Sequence, residues 1–168
     1  MRNLVIGYGN PSRRDDGVAL LVVNGLRRLL GLPVLDDMAD GFEDLGHPLD
    51  TLFLQQLTLE LAETLAEYDR VVFVDAHVGN AGADLIRRTT IDPNADPALV
   101  SHHFRPGRLL ALARSLYGAA PDCELVSIQG FDFDFGPEVS EATAAAALRV
   151  TEDLWREYAT GNHAPDPV

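Results

Sequence analysis

Short apolar runs alternate along this chain with segments whose apolar positions recur every three to four residues, a pattern that predicts strands and helices in turn. Leu4, Val5 and Ile6 form a run too short for a helix that stops at Gly7, as a buried strand does. From Val18, the residues Leu21, Val22, Leu26, Leu29 and Leu30 recur at helical spacing up to Gly31, and Asp15 or Asp16 is placed to cap the free N–H groups of that helix. Residues 51–57 read as a second strand, and Thr58 as the cap of a helix over 59–68 with Leu61, Ala62 and Leu65 facing inward. Residues 70–74, β-branched and aromatic, predict a strand buried on both faces. Another strand is predicted over 84–91, where Arg87 and Arg88 suit an exposed edge. Pro106 opens a helix with Leu109, Leu110, Ala113, Leu116 and Tyr117 on its inner face, and 125–128 is a last strand. Ser140 and Glu141 start a closing helix to about residue 158, whose alanine face suits close packing on the sheet.

The alternation predicts an α/β protein: a three-layer α/β/α sandwich with a mostly parallel, twisted sheet of about five strands. It implies a single domain over 1–159, with 160–168 as a disordered tail. Three intervals break the pattern. Residues 32–50 hold six acidic residues and no basic one, with two prolines and two glycines, and read as an exposed loop with a short strand at 33–35. It is longer than the roughly 4–6 residues usual for such a connection, so it is either substrate-facing or an insertion without function. His47 within it reads as solvated. Residues 79–82 form a glycine turn. In 129–137, Phe131, Phe133 and Phe135 alternate with Asp132 and Asp134, which favours a short strand with a buried aromatic face over a peptide-binding platform.

Composition narrows the function classes. The chain has 168 residues, 46% hydrophobic and 23% charged, within the ordinary range for a globular domain. No apolar run approaches the roughly 20 residues of a membrane span, and Met1-Arg2 leads into a strand and not a signal segment, so no membrane partner and a cytoplasmic location are expected. The single cysteine, Cys123, makes no internal disulfide and begins an apolar run, favouring a buried thiol over a nucleophile. A net charge of −13, from 13 basic and 26 acidic residues, disfavours nucleic acid. It suits a cation or a basic peptide, or serves solubility alone.

The candidate chemistry begins at Gly7-Tyr8-Gly9-Asn10-Pro11-Ser12-Arg13-Arg14-Asp15-Asp16-Gly17, a strand-to-helix corner of the kind that lines the crevice of an open α/β sheet. A dinucleotide site is disfavoured there, because Ser12 replaces the third glycine and the acidic pair would repel a pyrophosphate. Asp75 closes the 70–74 run and reaches the same edge if the two strands are parallel neighbours; otherwise it caps the next turn. His77, two residues on, either points into the same crevice or lies in an exposed loop, and the loop is favoured. Of the adjacent pair His102 and His103, only one can readily join a given site.

Gly-x-Gly-Asn, four residues, then an acidic pair and Gly after an N-terminal strand resembles the opening signature of the nickel-iron hydrogenase maturation endopeptidases. Gln56 to Glu63, Val71 to Ala76, Ser101-His102, Leu116 to Pro121 and Asp134 to Ser140 are similar to that family's landmarks in the same order, so the likeness spans most of residues 1–150. The resemblance implies a peptidase, aspartic-type by family classification, that removes the C-terminal peptide of a hydrogenase large-subunit precursor after nickel insertion. It implies Asp16 and Asp75 as catalytic residues and Asp16, Asp75 and His102 as metal ligands, with His103 in reserve. No cofactor of its own is implied, since the nickel arrives with the precursor, which is the expected partner. Many members carry glutamate where this chain has Asp16, one methylene shorter, although the Asp-Asp-Gly form also occurs in the family. Another class of function, a non-catalytic metal-sensing chaperone of hydrogenase assembly, would use the same cation site. The absence of a Gly-x-Ser-x-Gly elbow disfavours a generic α/β hydrolase.

Overall fold

In the computed structural model, which describes residues 1–79, 84–94, 105–118 and 120–161, the apolar runs pair into one sheet. Its strands are β1 (Asn3–Tyr8), β2 (Leu49–Leu54), β3 (Arg70–Val78), β4 (Ile86–Thr90) and β5 (Asp122–Gly130), in the order β2-β1-β3-β5-β4. β1 runs parallel to β2 and β3, and β3 parallel to β5, while β4 is an antiparallel edge. Helices α1 (Val18–Leu29) and α4 (Glu141–Gly161) share one core with Val5, Val72, Val74, Val126 and Ile128. Helices α2 (Leu61–Leu65) and α3 (Pro106–Tyr117) share the other with Leu4, Ile6, Val71 and Phe73. Successive β3 residues therefore feed opposite layers, which is why the run is apolar without alternation. The expected three-layer sandwich with a mostly parallel five-stranded sheet is the one found. No described helix is long and apolar enough to cross a membrane.

Several boundaries differ from the sequence reading, mostly where a polar side chain is buried with partners. β2 begins at Leu49 and includes Asp50, 1% exposed, whose carboxylate accepts the Tyr68 hydroxyl at 2.7 Å and the N–H groups of Gly46 and His47. Those bonds satisfy a charge that the apolar pattern excludes from a strand. The helix expected over 59–68 shrinks to Leu61–Leu65, and Thr58 makes no side-chain cap. Neither Asp15 nor Asp16 caps α1, because Arg14–Gly17 form a 3₁₀ turn ahead of it. Nine register pairs with β3 stretch β5 to Asp122–Gly130, beyond the expected 125–128. β4 is shorter than 84–91; its Arg88 pairs with Glu124 and with Glu157 of α4. Leu116 and Tyr117 are exposed although they continue the apolar stripe of α3, since the core beneath that helix ends at Ala113. Residues 131–135 form no strand, and Phe131 and Phe135 face solvent. Phe133 instead packs so close to Gly130 that a Cβ there would lie 2.4 Å from its ring.

The acidic loop is firmly attached. Arg27, a 1%-exposed guanidinium on α1, donates to the Pro33 carbonyl, the Thr51 hydroxyl and Asp44. Asn24 bonds both the N–H and the carbonyl of Leu35, so 33–35 is held by side chains and is not a strand. His47 is exposed, as expected. Most of the 79–82 turn and residues 162–168 of the expected tail lie outside the described residues.

Cys123 is buried at 5% exposure, and burial, with the Asp122 charge adding to it, pushes its thiol up to about 12. Since only the thiolate attacks, native Cys123 is expected to react with a disulfide reagent at pH 8 about a thousandfold more slowly than in urea-unfolded protein. Equal rates would show an accessible thiol.

Candidate active site

The chain leaves β1 for β2 on one side and returns to β3 on the other, so the carboxyl ends of β1 and β3 frame a topological switch point, the usual place for a ligand crevice. Asp75 lies on β3 one residue beyond the last β1 pair, Gly7 with Val74. The condition set by the sequence reading, parallel and neighbouring strands, is met.

The corner after β1 closes tightly. Gly9 has a φ of +145° and passes so near the Asp16 carbonyl that a Cβ would lie 2.0 Å from its oxygen. The Asn10 N–H donates to Asp16 Oδ2 at 2.9 Å, and the Ser12 N–H to Asn10 Oδ1 at 2.9 Å. Arg14 takes a left-handed φ of 46°, held by its N–H bond to the Gly136 carbonyl and by an ion pair with Asp132.

The two neighbouring carboxylates divide the work. Asp15 is fully buried and accepts the N–H groups of Phe131 (2.7 Å), Asp132 (3.1 Å) and Ser140 (2.7 Å), with the hydroxyls of Ser140 and Thr143. Burial pushes its carboxyl up, but the Ser140 hydroxyl and the three N–H groups outweigh burial and hold it below the ordinary value. Asp15 thus straps the 131–143 segment onto the corner. Asp16 is only half-buried, and its negative charge acts on Asp75 across the crevice.

Asp75 is held by one oxygen. The Tyr8 hydroxyl donates to Oδ2 at 2.8 Å, whereas Oδ1 is buried and has no hydrogen-bond partner among the described residues. Burial raises the carboxyl above its ordinary value, against the pull of the Ser127 and Tyr8 hydroxyls and the His77 charge, and Asp16 adds to the rise. His77, expected in an exposed loop, is instead half-buried on β3, two residues past Asp75, with Nδ1 2.9 Å from the Ser127 hydroxyl. Burial lowers its ring below the ordinary histidine value, and Arg87 adds to the effect. His102 and His103 lie outside the described residues.

Among the described residues no three or more His, Cys, Asp and Glu side chains gather to hold a metal ion. The Asp16 charge reaches Asp75 and raises its carboxyl; the third expected ligand, His102, is not among the described residues. The buried Oδ1 of Asp75 is an acceptor left unsatisfied among the described residues, and the Asp16 charge adds to the cost of ionising it. Tyr8 and Ser127 escaped the sequence reading, which sets His77 in an exposed loop in preference to the crevice. The one available signal was an aromatic residue with a hydroxyl between the two glycines of the signature; Ser127 needed the register that sets it opposite Asp75.

No family model matches the chain, and no curated protein matches it by sequence. Solved structures do match. The [NiFe] hydrogenase maturation protease HycI of Thermococcus kodakarensis KOD1 is 24% identical, with a TM-score of 0.63 over 94% of this chain and 91% of that one. The hydrogenase maturating endopeptidase HybD of E. coli is 20% identical, with a TM-score of 0.67 over 96% and 94%. This chain has the hydrogenase maturation protease fold. An uncharacterized protein of Wolinella succinogenes has it too, at 17% identity and a TM-score of 0.60 over 95% and 99%. Coverage is near-complete in both directions, so the likeness extends beyond the sheet.

Proposed function

We propose that this chain is a cytoplasmic hydrogenase maturation endopeptidase, which removes the C-terminal peptide of a nickel-iron hydrogenase large-subunit precursor once nickel has been inserted. One observation carries the reading: at the switch point of this fold Asp75 presents a buried carboxylate oxygen without a hydrogen-bond partner among the described residues, within reach of the Asp16 charge. In this reading Asp16 and Asp75 bind the cation that the precursor brings, with His102 as the third ligand implied by the family resemblance. They thereby fix the precursor's chain end against the crevice, and positioning alone lowers a barrier substantially. The nickel in the substrate supplies Lewis-acid polarisation of the scissile carbonyl or of a water. An aspartic-type peptidase also needs a carboxylate to take the proton of the attacking water. Asp75, its affinity for protons raised by burial, suits that part. The amide bond then breaks, with hydroxyl passing to the new C-terminus and proton to the released amine. The protein needs no resident metal.

Incubation of a nickel-loaded precursor with the purified protein is expected to shorten the precursor by one C-terminal peptide in intact-mass spectra, and nickel-free precursor is expected to stay whole. A bound precursor of unchanged mass would replace the peptidase with the metal-sensing chaperone.

A further inference from the structure

We propose that Tyr8 is a positioning residue for Asp75: its hydroxyl holds Oδ2, so that the carboxylate meets a divalent cation through Oδ1 alone. The inference rests on the cation-binding reading of Asp16 and Asp75 given above.

Tyr8 ends β1 and lies beside Asp75 because the parallel register runs Gly7 to Val74 at the preceding pair. Its ring is half-buried against the core under α2 and α3, which fixes where the hydroxyl falls. The bond to Oδ2 is 2.8 Å. The phenolic O–H is the donor of that bond and the carboxylate oxygen its acceptor. On the opposite flank, Ser127 is in register with Asp75, and its hydroxyl meets Nδ1 of His77. The Ser127 hydroxyl also acts on the Asp75 carboxyl, but among the described residues no donor reaches hydrogen-bond geometry at Oδ1, which is buried. An unrestrained aspartate turns freely about its last torsion and can offer both oxygens to one ion. Pinning one oxygen removes the two-oxygen mode, which larger and more permissive ions exploit best. It also spares the smaller, geometrically stricter ion the cost of ordering the ligand. If Tyr8 only filled space, deleting its oxygen would change nothing at the cation.

The test is calorimetric titration of Ni2+ alone and of Cd2+ alone into the unmodified protein, Tyr8→Phe and Asp75→Ala, with thermal unfolding of each. Tyr8→Phe keeps the ring. It is expected to weaken Ni2+ by about 10- to 100-fold, the usual cost of losing a group that orients a metal ligand, and to weaken Cd2+ less, so that the preference shifts toward Cd2+. Affinities within about twofold of the unmodified protein, or equal losses for both ions, would overturn the role of Tyr8 while Asp75→Ala still abolished binding. If Asp75→Ala has no effect, or the unmodified protein binds no Ni2+, the carboxylate site itself is wrong and the role of Tyr8 falls with it.

Discussion

Asp15→Ala is expected to destabilise the fold by about 3–5 kcal/mol, since each buried group left without a partner costs about 1–3 kcal/mol and partial relaxation recovers some of the sum. The change strips the acceptor from the N–H groups of Phe131, Asp132 and Ser140 and from the Ser140 hydroxyl. Against a typical total of about 5–15 kcal/mol, that is a large share. The loss also depends on pH. Asp15 is held below its ordinary value of 3.8, so its contribution is fully present above that value and disappears as the pH falls through the lower, folded one. Urea unfolding of the two proteins should therefore differ most at neutral pH and converge in acid. Equal urea midpoints at pH 7 would show that the 131–143 strap holds without this carboxylate. The strap is what binds the Asp134–Ser140 landmark to the corner, so Asp15 serves architecture, and Asp16 is the member of the pair left for the proposed chemistry.

Asp75→Asn should act in the opposite sense on stability and against function. Its amide oxygen can still accept the Tyr8 hydroxyl, but the charge that would meet a cation is gone. Removing a direct ligand is expected to cost more than the loss of an orienting partner, hence about 100-fold or more in Ni2+ affinity and in the rate of precursor shortening. Stability should rise. Asp75 has a raised carboxyl pKa in the folded state, so the fold loses stability as the pH climbs from the ordinary 3.8 towards and through that higher value, a cost carried into neutral pH. Asparagine removes this cost, and the melting temperature at pH 7 should exceed that of the unmodified protein, with the difference vanishing in acid. A variant that melts lower at pH 7, or that shortens the precursor at an undiminished rate, would contradict the picture of a strained carboxylate kept for its chemistry. Buried charge that weakens the fold is typical of residues retained for reactivity.

Local pattern was enough for the layers. Leu4-Val5-Ile6 and Val71-Val72-Phe73-Val74 are strands because runs this short and this apolar bury both faces, and Val22 and Leu26 mark α1 by their spacing. The corner was legible for the same reason: an apolar run that ends in glycines must turn there, although β1 itself runs on to Tyr8. Polar residues inside strands were not legible. Asp50 and Ser127 are buried because partners from distant segments satisfy them, and nothing in the neighbouring residues announces those partners. The exposure of Leu116, Phe131 and Phe135 has the complementary cause, as apolarity says that a residue can be covered and not that an element is there to cover it.

The candidate site shows the same division. Its residue types, two aspartates at the carboxyl ends of strands, belong to the sequence itself. Which of Asp15 and Asp16 turns toward the crevice is decided by a segment more than a hundred residues away, whose N–H groups claim Asp15. Which oxygen of Asp75 is free is decided by the pairing of β1 with β3, which brings Tyr8 alongside. Sequence determines backbone preference and burial pattern because these are set within a few residues. Orientation and proton affinity at the site belong to the tertiary structure, because hydrogen bonds and desolvation act through space between strands that are distant in the chain.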